Sequence, residues 1–364
     1  MSARVCFVVG ARPNFMKTAP VHWALAALDP SLELVLVHTG QHYDDVMSDV
    51  FIRELGLPQP DEFLGVGSGS HGEQTARALV GVERVLRERE IDLCVVAGDV
   101  NSTLAAALAA VKAGVRVAHV ESGLRSFDRT MPEEHNRKLT DHVSDVLLTH
   151  SEEANQNLQR EGIPPDWVHL VGNTMIDTLL EHVERARGGR PWERFGAQPG
   201  TYGLVTLHRP ALVDVPDRLD AVVQGLLALA AELPVVFPVH PRTRERLAAS
   251  GGDRRLAEAG VHVSPPLGYL DFLGLEAEAA FVATDSGGVQ EETSALGVRC
   301  FTFRENTERP VTLIRGTNTL MGADPARLAE IPGQLAQPRA AQEIPLWDGR
   351  AGKRAAEVLR RTLG

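Results

Sequence analysis

Short apolar runs, rich in β-branched residues, alternate with segments of helical period through nearly the whole chain. The runs at 5–9, 34–38, 93–97, 115–120, 146–149 and 168–171 read as strands, and segments such as 101–112 and 152–161 are long enough to be crossover helices. Strands apolar on both faces, each followed by a helix, are the pattern of a parallel sheet covered on both sides. The alternation breaks at 185–200, where Arg, Gly and Pro cluster without apolar period. It resumes with strands near 202–207, 235–239, 261–263, 281–284 and 299–303. The pattern predicts an α/β protein of two Rossmann-like, doubly wound domains facing a central cleft, over 1–172 and 173–349. A closing helix within 350–364, with Ala355, Val358, Leu359 and Leu363 near one face, could pack on either domain, a return to the first included.

Length agrees with this division, because 364 residues exceed the size at which one core stops growing. A formal net charge of −11 argues against general affinity for nucleic acid or anionic lipid, so any phosphate must be met by a local basic site. The longest apolar stretch, 219–239, is interrupted by Asp220, Gln224, Glu232 and Pro234, so no membrane span is expected. Cys6, Cys94 and Cys300 each sit inside an apolar run, and the polar start carries no signal sequence, which favours the cytoplasm.

The candidate chemistry collects at strand ends. The run 281–283 leads into Thr284-Asp285-Ser286-Gly287-Gly288, then a segment of helical period. Two glycines let a ligand approach the backbone, and the amides of a first helical turn suit a diphosphate. After the first strand, Arg12 and Lys17 offer a fork donor and a point charge to phosphate oxygens. Asp99 and Glu121 close two neighbouring strands of the first half, and Glu133 and Glu134 open a helix in which Arg137 follows one turn later. Each acid alone is as readily a helix cap. Several facing one cleft raise each other's proton affinity, which suits acid/base work. In the second half His208 and His240 each end an apolar strand, and with Arg309 and the glycine turn they would complete a site for a uracil nucleotide. Gly67-Ser68-Gly69-Ser70-His71-Gly72 matches the dinucleotide fingerprint but follows a polar loop, so a mobile loop is expected there and no NAD site. Neither His-Glu-x-x-His nor paired Cys-x-x-Cys occurs, and no metal site is expected.

At these residues the chain resembles the UDP-N-acetylglucosamine 2-epimerases over nearly its whole length. The matching pieces include Gly10-Ala11-Arg12-Pro13 with Lys17, Thr39-Gly40-Gln41-His42, Gly98-Asp99, His119 to Arg125, Pro132-Glu133-Glu134 with Asn136-Arg137, His208-Arg209, Pro238-Val239-His240, Asp285 to Glu292 and Thr307 to Pro310. The resemblance implies the two-domain GT-B fold and a cofactor-free reaction serving surface-polysaccharide synthesis, in which UDP is eliminated to leave a 2-acetamidoglucal and then adds back. It also implies Asp99, Glu121, Glu133 and His208 as the acid/base set. Arg12, Lys17, Arg137, His240, Ser286, Gly287, Gly288 and Glu292 are implied as substrate contacts, and Gln41 and His42 as positions that bind a second, activating UDP-sugar. A homodimer is expected because the family is usually dimeric. The chain departs from the family at Leu212, where an Asn is usual, in a shortened loop between Arg125 and Pro132, and at Pro345 to Gly349. A hydrolysing epimerase releasing N-acetylmannosamine and UDP, a GT-B glycosyltransferase and a catalytically inactive nucleotide-sugar binding protein stay open as alternatives. The interior acids exceed what transfer to an acceptor requires and favour the epimerase.

Overall fold

The computed structural model describes residues 2–40, 51–337 and 341–364. Two compact units form, one from Met1–Leu180 with Pro345–Gly364 and the other from Glu181–Ile344. In the first, the strands are β1 (Arg4–Val9), β2 (Glu33–His38), β3 (Glu62–Phe63), β4 (Leu93–Ala97), β5 (Arg116–Ser122), β6 (Val146–Thr149) and β7 (Val168–Leu170). They pair in parallel in the order β3-β2-β1-β4-β5-β6-β7, so the winding reverses between β1 and β4. Loops at the carboxyl ends of strands flanking such a reversal are where doubly wound sheets bind ligands. The loops that follow β1 and β4 carry Gly10-Ala11-Arg12 and Gly98-Asp99.

The second unit repeats the plan with β8 (Gly203–Thr206), β9 (Val235–Pro238), β10 (His262–Ser264), β11 (Phe281–Thr284), β12 (Arg299–Thr302) and β13 (Asn318–Leu320). Their order is β10-β9-β8-β11-β12-β13, again all parallel, with the reversal between β8 and β11. This is an α/β fold of two Rossmann-like sheets. Cores form where the apolar runs predict: Val8, Val35, Val37, Val82 and Val96 in the first unit, Val205, Phe237, Phe281 and Phe301 in the second. Phe281 and Phe301 meet edge to face at 5.9 Å, worth about 0.5–1.5 kcal/mol beyond the area they bury.

β3 and β13 are not among the predicted strands; with two and three residues they are too short to show a period. The fingerprint-like glycines precede the helix His71–Glu88, whose N-terminus is a capping box. The Ser70 hydroxyl accepts from the Glu73 amide, and the Glu73 carboxylate accepts from the Ser70 amide. The small residues there serve a helix start. The helix Ala351–Thr362 belongs to the first unit, and the Asp177 carboxylate accepts from the amides of Ala351 and Gly352 at 3.1 and 2.7 Å. A Cβ on Gly352 would lie 2.5 Å from the Pro20 carbonyl oxygen, so only glycine allows this approach to the helix Arg12–Leu28. Among the described residues no helix is long and apolar enough to cross a membrane.

Candidate active site

In the first unit the chemistry gathers at the ends of β4 and β5. The β5–β6 register shifts between Val120 and Ser122, and Glu121 at that irregularity has φ +66°, a left-handed conformation rare outside glycine. Such a bulge re-aims a side chain that regular alternation would send elsewhere. The Glu121 carboxylate, 7% exposed, forms an ion pair with Lys17, 5% exposed, from the helix Arg12–Leu28. Gly98 lies against the pair: a Cβ on it would be 2.9 Å from Lys17 Nζ and 3.5 Å from Glu121 Oε2. Its φ of +67° also favours glycine. Asp99 therefore follows directly on the residue that Lys17 and Glu121 enclose.

Asp99 accepts from Arg137 at 2.6 Å, and its backbone carbonyl accepts from the Asn136 side chain at 2.9 Å. Arg137 also donates to Glu134 at 2.9 Å. Glu134 further accepts from the amides of Ser126 and Phe127 and from the Ser126 hydroxyl, so this buried carboxylate organises the 126–127 turn. Glu133, half-buried on the first turn of the helix Pro132–Val143, stands four residues before Arg137 and shares its face.

Behind these groups lies a network centred on the buried His119, Asp141 and Arg125. His119 Nδ1 meets Asp141 at 2.7 Å while its Nε2 meets the Gly98 carbonyl at 2.8 Å. Asp141 also takes the Gly123 amide at 3.1 Å and Arg125 at 2.7 Å, and Arg125 grips Glu161 with two bonds of 2.8 and 2.6 Å. Burial works to raise the Asp141 carboxyl, and the bonds from His119 and Arg125 outweigh it, leaving it below the usual carboxylate range. Asn14 joins the two strand ends of the reversal, accepting from the Gly10 and Ala11 amides at 3.1 Å and donating to the Ala97 carbonyl at 2.8 Å.

In the second unit His208 follows β8 and Asp285 follows β11, strands paired through Thr284 and Thr206. His208 Nδ1 lies 2.8 Å from Asp285 Oδ1. Oδ2 of Asp285 accepts from the His208 and Arg209 amides at 2.9 and 2.7 Å. Burial acts to lower the imidazole's affinity for a proton, but the charge and hydrogen bond of Asp285 prevail, so His208 is raised above 6.5. With 44% of its side chain exposed, it presents its other ring edge to solvent. We predict that Asp285→Asn lowers the His208 pKa, read by NMR titration of the ring protons; an unmoved pKa would refute this pairing.

The helix Gly287–Leu296 starts at Ser286, whose side chain makes no capping bond, so its first amides remain available to a ligand. Arg309 lies against Gly287, where a Cβ would be 2.5 Å from its Nη1. The same guanidinium pairs with Glu291 at 3.0 Å and Glu308 at 2.9 Å.

Within the first unit, then, Lys17, Asp99, Glu121 and Arg137 come together, with Glu133 one helical turn from Arg137. Within the second, His208 stands at the strand reversal, while Arg309 lies along the helix that carries Gly287, Gly288 and Glu292. His240 is exposed at the end of β9. Arg137 and Arg309, expected to meet ligand, are buried and engaged by carboxylates. Leu212 is also buried, in the core of the second unit. The side chain of Arg12 and residues Gln41 and His42 lie outside the described residues. Sequence reasoning passed over Asp285 as a partner of His208, and His119, Asp141 and Asn14 as supports. A histidine inside an apolar strand, and an aspartate at the end of the strand beside that of His208, were the available signals.

A family model described as UDP-N-acetylglucosamine 2-epimerase matches residues 26–360. A protein of that name from Methanococcus maripaludis is 40% identical over 356 residues, 96% of each chain. The UDP-2,3-diacetamido-2,3-dideoxy-D-glucuronate 2-epimerase of Pseudomonas aeruginosa is 40% identical over 323 residues, 88% of each chain. Among solved structures, the Methanocaldococcus jannaschii UDP-GlcNAc 2-epimerase in complex with UDP-GlcNAc and UDP superposes with TM-score 0.90 at 40% identity, covering 98% of this chain and 99% of that one. Taken with the two GT-B-type sheets and the strand-end acids, these likenesses mean that the chain belongs to the UDP-N-acetylglucosamine 2-epimerase family.

Proposed function

We propose that this chain is a non-hydrolysing epimerase interconverting UDP-N-acetylglucosamine and UDP-N-acetylmannosamine. A carboxylate of the first unit removes the proton on C2 while the C1–O bond to UDP breaks, giving a 2-acetamidoglucal and UDP. A proton then returns to the opposite face of C2 and the UDP oxygen re-forms the bond to C1. Atoms and charge balance without a co-reactant. The C2 proton is not acidic in the intact sugar and becomes so as departing diphosphate leaves positive character on the ring.

The observation that carries this reading is the bulge that aims Glu121 at Lys17 around Gly98, beside Asp99. Two carboxylates of different partnership at neighbouring strand ends are what a two-faced proton transfer needs: Glu121 is paired with a lysine and Asp99 with an arginine. In the second unit a raised His208 and the free amides of the helix at Gly287 suit a diphosphate leaving group. Glu133 joins the acid/base set, and Arg12, Lys17, Arg137, His240, Ser286, Gly287, Gly288, Glu292 and Arg309 the binding set. Gln41 and His42 take an activating UDP-sugar. The enzyme works as a cytoplasmic homodimer.

Incubation with UDP-N-acetylglucosamine in deuterium oxide, followed by proton NMR, tests the reaction. We expect UDP-N-acetylmannosamine with deuterium at C2 in both epimers. Accumulating free N-acetylmannosamine with UDP would mean the hydrolysing variant. Unchanged substrate would sink the epimerase reading altogether. Because one relative acts on a diacetamido uronate by its name, UDP-2,3-diacetamido-2,3-dideoxy-D-glucuronate belongs beside the first substrate in the same assay.

A further inference from the structure

Gln290, fully buried on the helix Gly287–Leu296, enters none of the chemistry above. Its amide is engaged on both sides. Nε2 donates to the Ser286 carbonyl at 3.1 Å, while Oε1 accepts from the Thr307 hydroxyl at 2.7 Å and from Asn318 Nδ2 at 3.0 Å. Turned over, the amide would set oxygen against the Ser286 carbonyl and N–H against the Asn318 donor, so only one orientation satisfies this buried site.

The partners of Oε1 carry the grip onward. Thr307 Oγ1 accepts from the Arg309 amide at 3.1 Å, which leaves its hydroxyl proton for Gln290. Asn318, on β13, also donates to the Thr312 hydroxyl at 3.1 Å, and Thr312 donates to the Arg309 carbonyl at 2.8 Å. The Asn318 oxygen accepts from Thr302 on β12 at 2.6 Å. Both backbone groups of Arg309 are thus held by threonine hydroxyls. Ser286 is treated alike: its N–H donates to Thr284 Oγ1 at 2.9 Å, and its carbonyl takes the Gln290 amide. The Arg309 guanidinium lies against Gly287, so the contacts run from Ser286 through Gln290, Thr307 and Arg309 and return to the residue after Ser286.

That closed ring answers a need of the turn it surrounds. Two glycines at a helix start carry no side chains to restrict them and have the widest backbone freedom, and the Ser286 side chain makes no capping bond there. Amides that must meet an anion bind it best when their directions are fixed in advance. We propose that Gln290 is a positioning residue that holds the Ser286-Gly287-Gly288 turn and the segment Thr307–Arg309 in register, so that the turn presents its amides to the diphosphate of a nucleotide sugar with Arg309 behind them. Gln290 meets no ligand itself and acts through the Ser286 carbonyl and Thr307. The assignment rests on the nucleotide-sugar reading above.

Calorimetric titration with UDP, at a temperature where thermal unfolding shows each variant folded, tests this role. Q290M has similar length with neither donor nor acceptor and should weaken UDP binding about tenfold. T307V cuts only the link to the Arg309 segment and should weaken it about threefold. Because both act through one ring, the double variant should bind about as Q290M does. NMR of the unliganded proteins supplies a second signature: the Gly287 and Gly288 amide resonances should be single in the native chain and should broaden or split in Q290M. A Q290M that melts lower yet binds UDP like the native protein is the mark of a purely structural amide and overturns the proposal alone, as does full additivity in the double variant. If Q290M does not fold, T307V decides, and native affinity with unmoved glycine resonances overturns the proposal. Failure of the native protein to bind UDP or UDP-N-acetylglucosamine overturns the nucleotide-sugar reading and the proposal with it.

Discussion

Glu121→Gln is expected to cut epimerisation by about a hundredfold or more while UDP affinity stays within about threefold. The substitution is nearly isosteric, so the bulge and the left-handed backbone at 121 can persist, while the charge facing Lys17 is gone. Lys17 remains 5% exposed, now against a neutral amide. If Lys17 acts through Glu121, then Lys17→Met slows turnover in the same direction, and the double variant is little slower than Glu121→Gln alone. Steady-state turnover and UDP calorimetry on the three variants check this. Full additivity would mean that the two side chains act independently, and near-native turnover in Glu121→Gln would remove it from the acid/base set. Asp99→Asn belongs in the same series. Its carboxylate meets Arg137 instead of Lys17, so a comparable loss with no coupling to Lys17→Met would separate two carboxyl roles.

The parallel sheets were legible because each strand is buried on both faces and so reads as an unbroken apolar run, as in 5–9 or 93–97. The acids were legible because a charge at the end of such a run stands out. What pairs with what was not. Glu121 meets Lys17 only because a bulge turns its backbone to φ +66°, and no residue pattern around His119-Val120-Glu121-Ser122 announces that conformation. His208 was singled out as the end of a strand, yet its carboxylate partner follows β11, distant in sequence and adjacent in space through the β8–β11 pairing. Pairings across crossovers are set by topology, which periodicity predicts only in outline.

Asp141→Ala should destabilise the protein by about 3–5 kcal/mol, since it strips the anion from a buried arginine and a buried histidine at once. Both nitrogens of His119 face oxygen acceptors, Asp141 and the Gly98 carbonyl, and a neutral ring can donate to only one of them. Arg125 would keep Glu161, and His119 would keep the carbonyl alone. Gly123, at φ +81°, would lose the acceptor of its amide as well. Asp141→Asn, which retains the shape and one acceptor oxygen, should lose less. Urea unfolding of the three proteins measures the difference, and a loss below about 1 kcal/mol in the alanine variant would show that the network relaxes around the gap. The pH dependence carries the same signature. Asp141 is held below 3.8 in the folded chain, so its contribution is present above that value and is lost as pH falls through the folded pKa. The alanine variant should therefore show a shallower acid limb than the native protein. Because His119 bonds to the carbonyl of Gly98, the residue before Asp99, a folded Asp141→Asn should also lose turnover without losing UDP affinity: the strand end that carries the acid is then less firmly held.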